Sequence, residues 1–383
     1  MELTKERSGN YDTVKELKRL WNDLNGCESL SLQEIDKVKA EAARYGVYPD
    51  LESYYLDRED MMNYDLKRAC KLVEFWHDKG VLYKRNHPIL NTTHFIYPCT
   101  DTTGLYLHFE GFMRTIELLG TESQKAKWIK KCLTLEAIGC YCQTELGHGS
   151  DVKSLETTAT YDVTTREFVI NSPTISSIKF WPGGLGKLSN HAVVQAQMYV
   201  NDKHCGLQTF IVKIRDEDHI PCEGIHVGDI GSKFGFNSMD SGFVKFSQYR
   251  IPKENLLSRY CNVTDDGKFT SASEKAIRLG YGNMLFLRAQ IFYGRSIQFS
   301  RLATIGIRYS IIRRQFKDAE TGEERQILDY QTQQYRLFPL VGISFAIRLA
   351  YINLHKKYLK FEEELNEGKE PFELLKEVHT LTS

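Results

Sequence analysis

The sequence has no excess of either charge. Fifty basic and fifty acidic residues among 383 give a formal net charge of zero. Nucleic acids and acidic membrane surfaces attract proteins that carry a basic excess. We therefore expect no nucleic acid partner, and we do not expect an acidic membrane surface to be the main partner.

Cysteine pairs, a secretory leader and repeats are also missing. The nine cysteines are an odd number, are scattered and form no Cys-x-x-Cys pair, which is typical of a reduced, intracellular chain. Residues 1–8 contain no apolar core of the kind that a secretory signal needs. With 42% apolar and 26% charged residues, the composition predicts a globular protein with two or three packed units.

One apolar run comes close to the length of a membrane span. It covers residues 337–354 but contains Pro339 near its start and Arg348 further on. An arginine in the middle of a membrane costs roughly 2.5–3.5 kcal/mol even on a lenient insertion scale. We therefore expect no membrane span, and the run predicts a buried core helix.

The order of the predicted elements indicates an α+β protein with segregated layers. Residues 1–137 have helical periodicity, including an amphipathic stretch from Val14 to Leu24 and another from Met62 to Trp76. Several short predicted strands within 138–262 suggest a small antiparallel barrel or sandwich, with a polar loop over 261–268. Residues 263–383 become helical again, with a long helix that carries Leu302 and Ile305 on one apolar stripe. A second long helix, over about 327–365, is expected to bend or restart at its proline.

A strand over Ile138–Cys142 that breaks at Thr144 is the first candidate for a site. Glycines at positions 147 and 149 follow the break, and they allow a close approach of the backbone to a ligand. Cys140 and Cys142 are two residues apart on the strand, so they are predicted to share one buried face. By itself this pattern also fits an ordinary hairpin, which is the commoner structure.

A second stretch, residues 179–187 (KFWPGGLGK), places three glycines beside an aromatic pair. Together the two stretches resemble the peroxisomal acyl-CoA oxidases, flavin enzymes of the acyl-CoA dehydrogenase superfamily. The matching segments keep the family order over nearly the whole chain: 143–150 (QTELGHGS), 157–161 (TTATY), 181–187 (WPGGLGK), 228–231 (GDIG), 249–255 (YRIPKEN) and 329–335 (DYQTQQY). In the related dehydrogenases the comparable segment usually carries Thr-Asn before the small residue, whereas here it begins Trp181-Pro-Gly-Gly, which favours the oxidase branch.

The resemblance implies an N-terminal α domain (1–137), a middle antiparallel β-barrel-like domain that contacts the flavin (138–262) and the first helices of an incomplete C-terminal α bundle (263–383). It implies FAD as cofactor, fatty acyl-CoA and O2 as substrates, and trans-2-enoyl-CoA and H2O2 as products of β-oxidation. It also implies a homodimer in the complete protein and a peroxisomal location, although residues 381–383 (LTS) do not form a Ser-Lys-Leu signal.

Four residues are implied to bind FAD. Thr144 matches the family position whose backbone and hydroxyl contact the flavin ring, and Gly183 the position whose backbone N–H faces it. Arg313 and Gln315 match a motif that reaches the pyrophosphate and adenine of FAD on the neighbouring subunit. Each position also has an ordinary explanation: a strand end, a turn glycine, and a basic cluster that complements a helix C-terminus.

No catalytic residue is predicted within the chain. Glu145 is expected to bind backbone groups or solvent, His148 to be a loop residue, and no Cys/His cluster predicts a metal site. The resemblance implies a general-base glutamate beyond Ser383, so we expect the chain by itself not to remove the α-proton of acyl-CoA. Peroxide formation at full-length rates would contradict this. The alternative is a non-catalytic, oxidase-like scaffold or binding subunit, and in either case the apolar stripe is expected to be exposed.

Overall fold

The structure is a computed structural model that describes residues 31–82, 104–272 and 282–382, together with positions 15, 16 and 19. Most of the amphipathic stretch predicted at Val14–Leu24 lies outside the described residues. Contacts divide the chain into two compact units. The helical unit comprises Met1–Arg44, Lys84–Cys99 and Met284–Ser383, and the mixed unit comprises Tyr45–Tyr83 and Thr100–Asn283. The three-domain division stays a prediction.

The α-helices are α1 (Leu32–Arg44), α2 (Arg58–Asp78), α3 (Gly104–Leu107), α4 (Arg114–Leu119), α5 (Glu122–Leu133), α6 (Gly282–Ile312), α7 (Gln331–Asn366) and α8 (Phe372–Leu381). A π-helical segment, His108–Met113, joins α3 to α4. Short 3-10 turns cover Glu52–Tyr55, Val152–Ser154, Lys253–Asn255 and Ile327–Asp329.

The strands are β1 (Gly139–Cys142), β2 (Thr158–Asp162), β3 (Glu167–Asn171), β4 (Lys179–Phe180), β5 (His191–Val200), β6 (Lys203–Lys213), β7 (Ile225–Asp229), β8 (Gly242–Phe246), β9 (Tyr249–Pro252), β10 (Cys261–Val263), β11 (Phe269–Ser271), β12 (Arg314–Lys317) and β13 (Glu324–Gln326). The predicted α+β class is confirmed. The polar loop predicted over 261–268 is wrong at its start. Cys261 and Val263 there alternate with an exposed residue and are buried in strand β10.

Helix starts in the mixed unit follow local chemistry. The carboxylate of Asp57 accepts a hydrogen bond from the backbone N–H of Asp60 and begins α2. Thr121 and Gln124 form a complete capping box at the start of α5, as their spacing predicts. The apolar face of α2 buries Leu72 and Phe75, so the helix predicted over residues 62–76 is confirmed.

A curled six-stranded sheet forms the centre of the mixed unit. It runs β1-β5-β2-β3-β9, with β6 on the other edge of β5. β5 is long enough to pair in parallel first with β1 and then with β2, while its pairing with β6 is antiparallel. A second, three-stranded sheet runs β4-β8-β7. The expected antiparallel pairing therefore coexists with two parallel pairings, because β1 and β2 are separated in sequence from β5 by long connections.

The core of the mixed unit lies between these sheets. Cys140 and Cys142 are fully buried in it, with their sulfur atoms 3.6 Å apart, so the prediction that they share a buried face is confirmed. Burial raises the pKa of the Cys140 thiol well above its ordinary value. Large members of the core include Phe168, Ile170, Leu185, Met198, Phe210, Val212, Val244 and Phe246.

In the helical unit, α7 runs through Pro339 as one helix, so a restart there is excluded, and a bend at Pro339 stays a prediction. The Gln331–Leu365 part of this helix is long and apolar enough to cross a membrane by length and composition, and core helices also have these properties. Only 11% of its most apolar window is buried. The prediction of a buried core helix is therefore wrong for this stretch. Within the described residues, the helix has buried side chains only from Tyr351 onwards.

The apolar stripe of α6 is exposed, as expected. Leu302 and Ile305 are 57% and 69% exposed. A two-stranded hairpin, β12 with β13, follows this helix.

Candidate functional site

Thr144 lies just after the end of β1. At this point the chain stops pairing with β5 and comes to lie beside β4. Its hydroxyl donates to the carbonyl oxygen of Phe180 at 2.7 Å. Its own carbonyl accepts from the backbone N–H of Phe180 at 3.1 Å. The predicted strand break and the predicted glycine bend, 36 residues apart in sequence, are therefore joined directly.

The bend itself, residues 181–187, is fastened to the segment that leads into β8. The N–H of Trp181 donates to the carbonyl of Gly242 at 2.9 Å, and the N–H of Gly242 donates to the carbonyl of Pro182 at 2.9 Å. Trp181 has a φ of +88°, unusual for a bulky residue, and its side chain is 57% exposed. Backbone strain of this kind is concentrated at functional sites.

Gly183 is buried at the centre of this bend. A Cβ atom there would lie 2.5 Å from the sulfur of Met239 and 2.7 Å from Cδ1 of Leu107, so any larger residue would force these side chains to shift. Its N–H donates no hydrogen bond within the part of the chain that the structure describes. Because buried N–H groups are rarely left without a partner, this one is a candidate contact for a ligand.

A buried ion pair, which the sequence analysis missed, lies beneath Thr144. The ammonium of Lys179 is 3.0 Å from a carboxylate oxygen of Glu145, and neither side chain is exposed. Glu145 also accepts from the backbone N–H groups of Glu156 and Thr157, at 2.7 and 2.9 Å, and from the Thr157 hydroxyl at 2.6 Å. Burial would raise the pKa of Glu145, but Lys179 and these hydrogen bonds outweigh it and lower the pKa.

The predicted role of Glu145 as a backbone-binding residue is confirmed, and solvent has no access to its side chain. His148 lies in the following loop with its Nδ1 3.7 Å from Glu145 and 3.8 Å from Glu156. Among the described residues, no group of three or more His, Cys, Asp or Glu side chains could hold a metal ion.

Two further buried charges hold the glycine bend. The guanidinium of Arg215 donates to the carbonyls of Leu185 at 3.1 Å and Gly186 at 2.8 Å. From the other side, a carboxylate oxygen of Asp240 accepts from the N–H groups of Lys187 and Leu188 at 2.8 and 2.7 Å. Burial raises the pKa of Asp240. The bend is therefore fixed by side chains that lie far from it in sequence.

A cavity of about 330 Å³ lies within the mixed unit, between α2 and the end of this bend. Met62, Leu66 and Leu188 form its apolar wall, and Asp240 and Ser238 form part of its polar wall.

Arg313 and Gln315 belong to the helical unit. Arg313 directly follows the last residue of α6, and Gln315 lies in β12, so the predicted position at a helix end is confirmed. The carbonyl of Arg313 accepts from the N–H of Ile327 at 2.9 Å, and the carbonyl of Gln315 accepts from the hydroxyl of Tyr330 at 2.9 Å. Both residues are exposed.

Two family models match the chain: "Acyl-coenzyme A oxidase N-terminal" over residues 14–138 and "Acyl-CoA oxidase, C-alpha1 domain" over residues 281–383. A peroxisomal acyl-coenzyme A oxidase 1 from Rattus norvegicus is 44% identical over 278 residues, which are 72% of this chain and 42% of the rat protein. The chain thus spans less than half the length of this relative.

Solved structures agree. Arabidopsis thaliana acyl-CoA oxidase 1 is 40% identical with a TM-score of 0.80, over 90% of this chain and 52% of that protein. Acyl-CoA oxidase-2 from Caenorhabditis elegans, bound with FAD, ascaroside-CoA and ATP, is 31% identical with a TM-score of 0.82, over 91% and 52% of the two chains. Family models, relatives and structures all agree that this chain belongs to the acyl-CoA oxidase family.

Proposed function

We propose that this chain forms the flavin-contacting part of an FAD-dependent acyl-CoA oxidase of fatty-acid β-oxidation. Thr144 and Gly183 are proposed to contact the flavin ring, and Arg313 and Gln315 to bind the pyrophosphate and adenine of the FAD on the neighbouring subunit. The proposal rests on the buried N–H of Gly183, which has no hydrogen-bond partner within the described residues. Gly183 lies three residues after Phe180, which is hydrogen-bonded to Thr144.

The groups at Thr144 and Gly183 fit the edge of a flavin ring. A flavin edge offers carbonyl oxygens and ring nitrogens that accept hydrogen bonds, and one N–H that donates. The backbone N–H groups of Thr144 and Gly183 can donate hydrogen bonds to these acceptors. The Thr144 hydroxyl donates to Phe180 and keeps its lone pairs for a donor. FAD complexes of a family member, the C. elegans oxidase, support the choice of cofactor.

Arg313 fits the pyrophosphate. A guanidinium binds phosphate oxygens through two parallel hydrogen bonds, and Arg313 is exposed at a helix end with its backbone fixed to Ile327. Gln315 lies two residues on, with its carbonyl held by Tyr330, which leaves its exposed amide for a polar part of the cofactor.

The substrate proposed is a fatty acyl-CoA, converted to trans-2-enoyl-CoA. When bound, FAD would accept the electrons and pass them to O2, giving H2O2. Glu145 is not the general base, because its carboxylate is enclosed and engaged by Lys179 and Thr157. The names of the relatives support a peroxisomal location, and we propose a homodimer for the complete protein.

The test measures FAD binding by the chain through the quenching of flavin fluorescence. Thr144→Val removes the hydroxyl at nearly constant volume, so the Kd for FAD is expected to rise about three- to tenfold, the effect of one lost hydrogen bond. Thr160→Val is the matched control, since Thr160 is exposed on β2.

Two results would contradict the proposal. One is absence of FAD binding by the unaltered chain. The other is a Thr144→Val variant that binds FAD as tightly as the Thr160→Val control.

A further inference from the structure

The ammonium of Lys179 makes three hydrogen bonds in a fully buried position. It donates to the carbonyl oxygen of Gln143 at 3.0 Å, to that of Gln195 at 2.7 Å and to Glu145 at 3.0 Å. These three donations use all the protons of the ammonium group. Lys179 thereby holds the backbone carbonyl of Gln143, the residue before Thr144, and the side chain of Glu145, the residue after it.

The bond to Gln143 sets the direction of the next N–H. In a trans peptide the C=O and N–H groups point in opposite directions, and the described chain has no cis peptide bond. Because the Gln143 carbonyl is directed at Lys179, the N–H of Thr144 in the same peptide is directed away from it. That N–H donates no hydrogen bond within the described residues.

The same contact strengthens the donor. A positive charge on a carbonyl oxygen draws electrons from the amide nitrogen, and hydrogen bonds in a chain polarise one another more strongly in a buried, low-dielectric site. Glu145 balances the charge of Lys179, so the core tolerates the ion pair. A single buried charge would be strongly destabilising.

We propose that Lys179 is a positioning residue for the flavin: through the Gln143–Thr144 peptide it aims the Thr144 N–H at the flavin edge and strengthens it as a donor. This inference rests on the proposed function. Reduction of a flavin places negative charge on its pyrimidine edge, so a stronger donor there favours the reduced form. Lys179 therefore raises both the affinity for FAD and its reduction potential.

The main variant is the double substitution Lys179→Met with Glu145→Gln, which removes both buried charges and leaves no unpaired one. Glu145→Gln alone is the control: it keeps Lys179 on the Gln143 carbonyl but leaves its charge unbalanced, so it is compared with the double variant only where circular dichroism shows that both are folded. Where the double variant does not fold, as judged by circular dichroism, Lys179→Gln with Glu145→Gln replaces it and retains a neutral hydrogen-bonded pair.

Two quantities are measured on the full chain with FAD. We expect the double variant to raise the Kd for FAD about tenfold relative to Glu145→Gln. We also expect it to lower the midpoint potential by about 30 mV, which is a tenfold change for a two-electron couple. A purely structural role would lower the melting temperature and leave the potential unchanged.

A third measurement needs no cofactor. In the flavin-free chain labelled with 15N-threonine, the Thr144 amide proton resonance is expected to move when Lys179 is replaced and to stay within the control range in Glu145→Gln. FAD binding with unchanged Kd and potential in the folded double variant overturns the inference alone. Absence of FAD binding by the unaltered chain overturns both the inference and the proposed function.

Discussion

One guanidinium nitrogen of Arg58 donates to both carboxylate oxygens of Asp229, at 2.9 Å each. Arg58 is the first residue of α2, and Asp229 is the last of β7, 171 positions later. Asp229 also accepts from the N–H of Gly231 at 2.6 Å. The family segment 228–231 therefore ties the first long helix of the mixed unit to its second sheet.

The Arg58–Asp229 pair is expected to stabilise the mixed unit. The two side chains are only 22% and 14% exposed, so solvent screens their attraction weakly. A double-mutant cycle with Arg58→Met and Asp229→Asn should give a coupling energy of about 1–2 kcal/mol in urea denaturation. A coupling below about 0.3 kcal/mol, typical of an exposed pair, would contradict this.

Gln124 is expected to contribute more to the unfolding free energy than its part in the helix cap accounts for. Its amide oxygen accepts from the N–H of Thr121 at 3.0 Å, and its amide nitrogen donates to the carbonyls of Glu254 at 2.8 Å and Leu256 at 2.6 Å. Thr121→Ala should cost about 1 kcal/mol of unfolding free energy. Gln124→Glu keeps the cap but cannot donate to the two carbonyls, so it should cost about 2–3 kcal/mol. Equal costs in urea denaturation would show that the two carbonyl contacts contribute nothing.

His108 should make the fold sensitive to acid. It is fully buried: its Nδ1 accepts from the N–H of Gly139, and its Nε2 donates to the carbonyl of Cys132, both at 3.0 Å. Burial lowers its pKa from 6.5 to about 4. The unfolded chain therefore binds this proton more readily, and the unfolding free energy should fall by about 3 kcal/mol as the pH drops from 6.5 to 4.

The measurement is urea denaturation across this pH range. His108→Gln removes one titrating group and should make the dependence on pH shallower, even if it lowers stability at neutral pH; burial also lowers the pKa of His191 and His355 to about 4, so a smaller dependence remains. His204→Gln, on the exposed surface of β6, is the control. A variant at position 108 with an unchanged slope would assign the acid sensitivity to other groups.

Gly183→Ala should disturb both packing and binding. The new methyl group would lie 2.5 Å from the Met239 sulfur, so the side chain or the bend must move. We expect a loss of about 1–3 kcal/mol in thermal or urea denaturation and weaker FAD binding. Gly235→Ala is the control, because no atom lies within 4 Å of a Cβ there. If the two variants were equally stable, the close packing at Gly183 would not be the reason for glycine.

Local patterns in the sequence were sufficient for much of the secondary structure. The periodicity over residues 62–76 predicts α2, the spacing of Thr121 and Gln124 predicts the capping box, and alternation predicts β1 with its two cysteines on one face. Each of these depends on residues within a few positions of one another. The order of the predicted elements indicated the α+β class, and family motifs then added the candidate roles of Thr144 and Gly183.

The parallel pairings of β5 and the groups that hold the site depended on long-range packing. Lys179 and Glu145 are 34 residues apart, and in sequence a lysine that will be buried looks like any surface lysine. Arg215 and Asp240 are equally unremarkable until the chain brings them to the glycine bend. Periodicity shows which face of an element is apolar. The packing of whole sheets determines which charged side chain, distant in sequence, contacts a given backbone carbonyl.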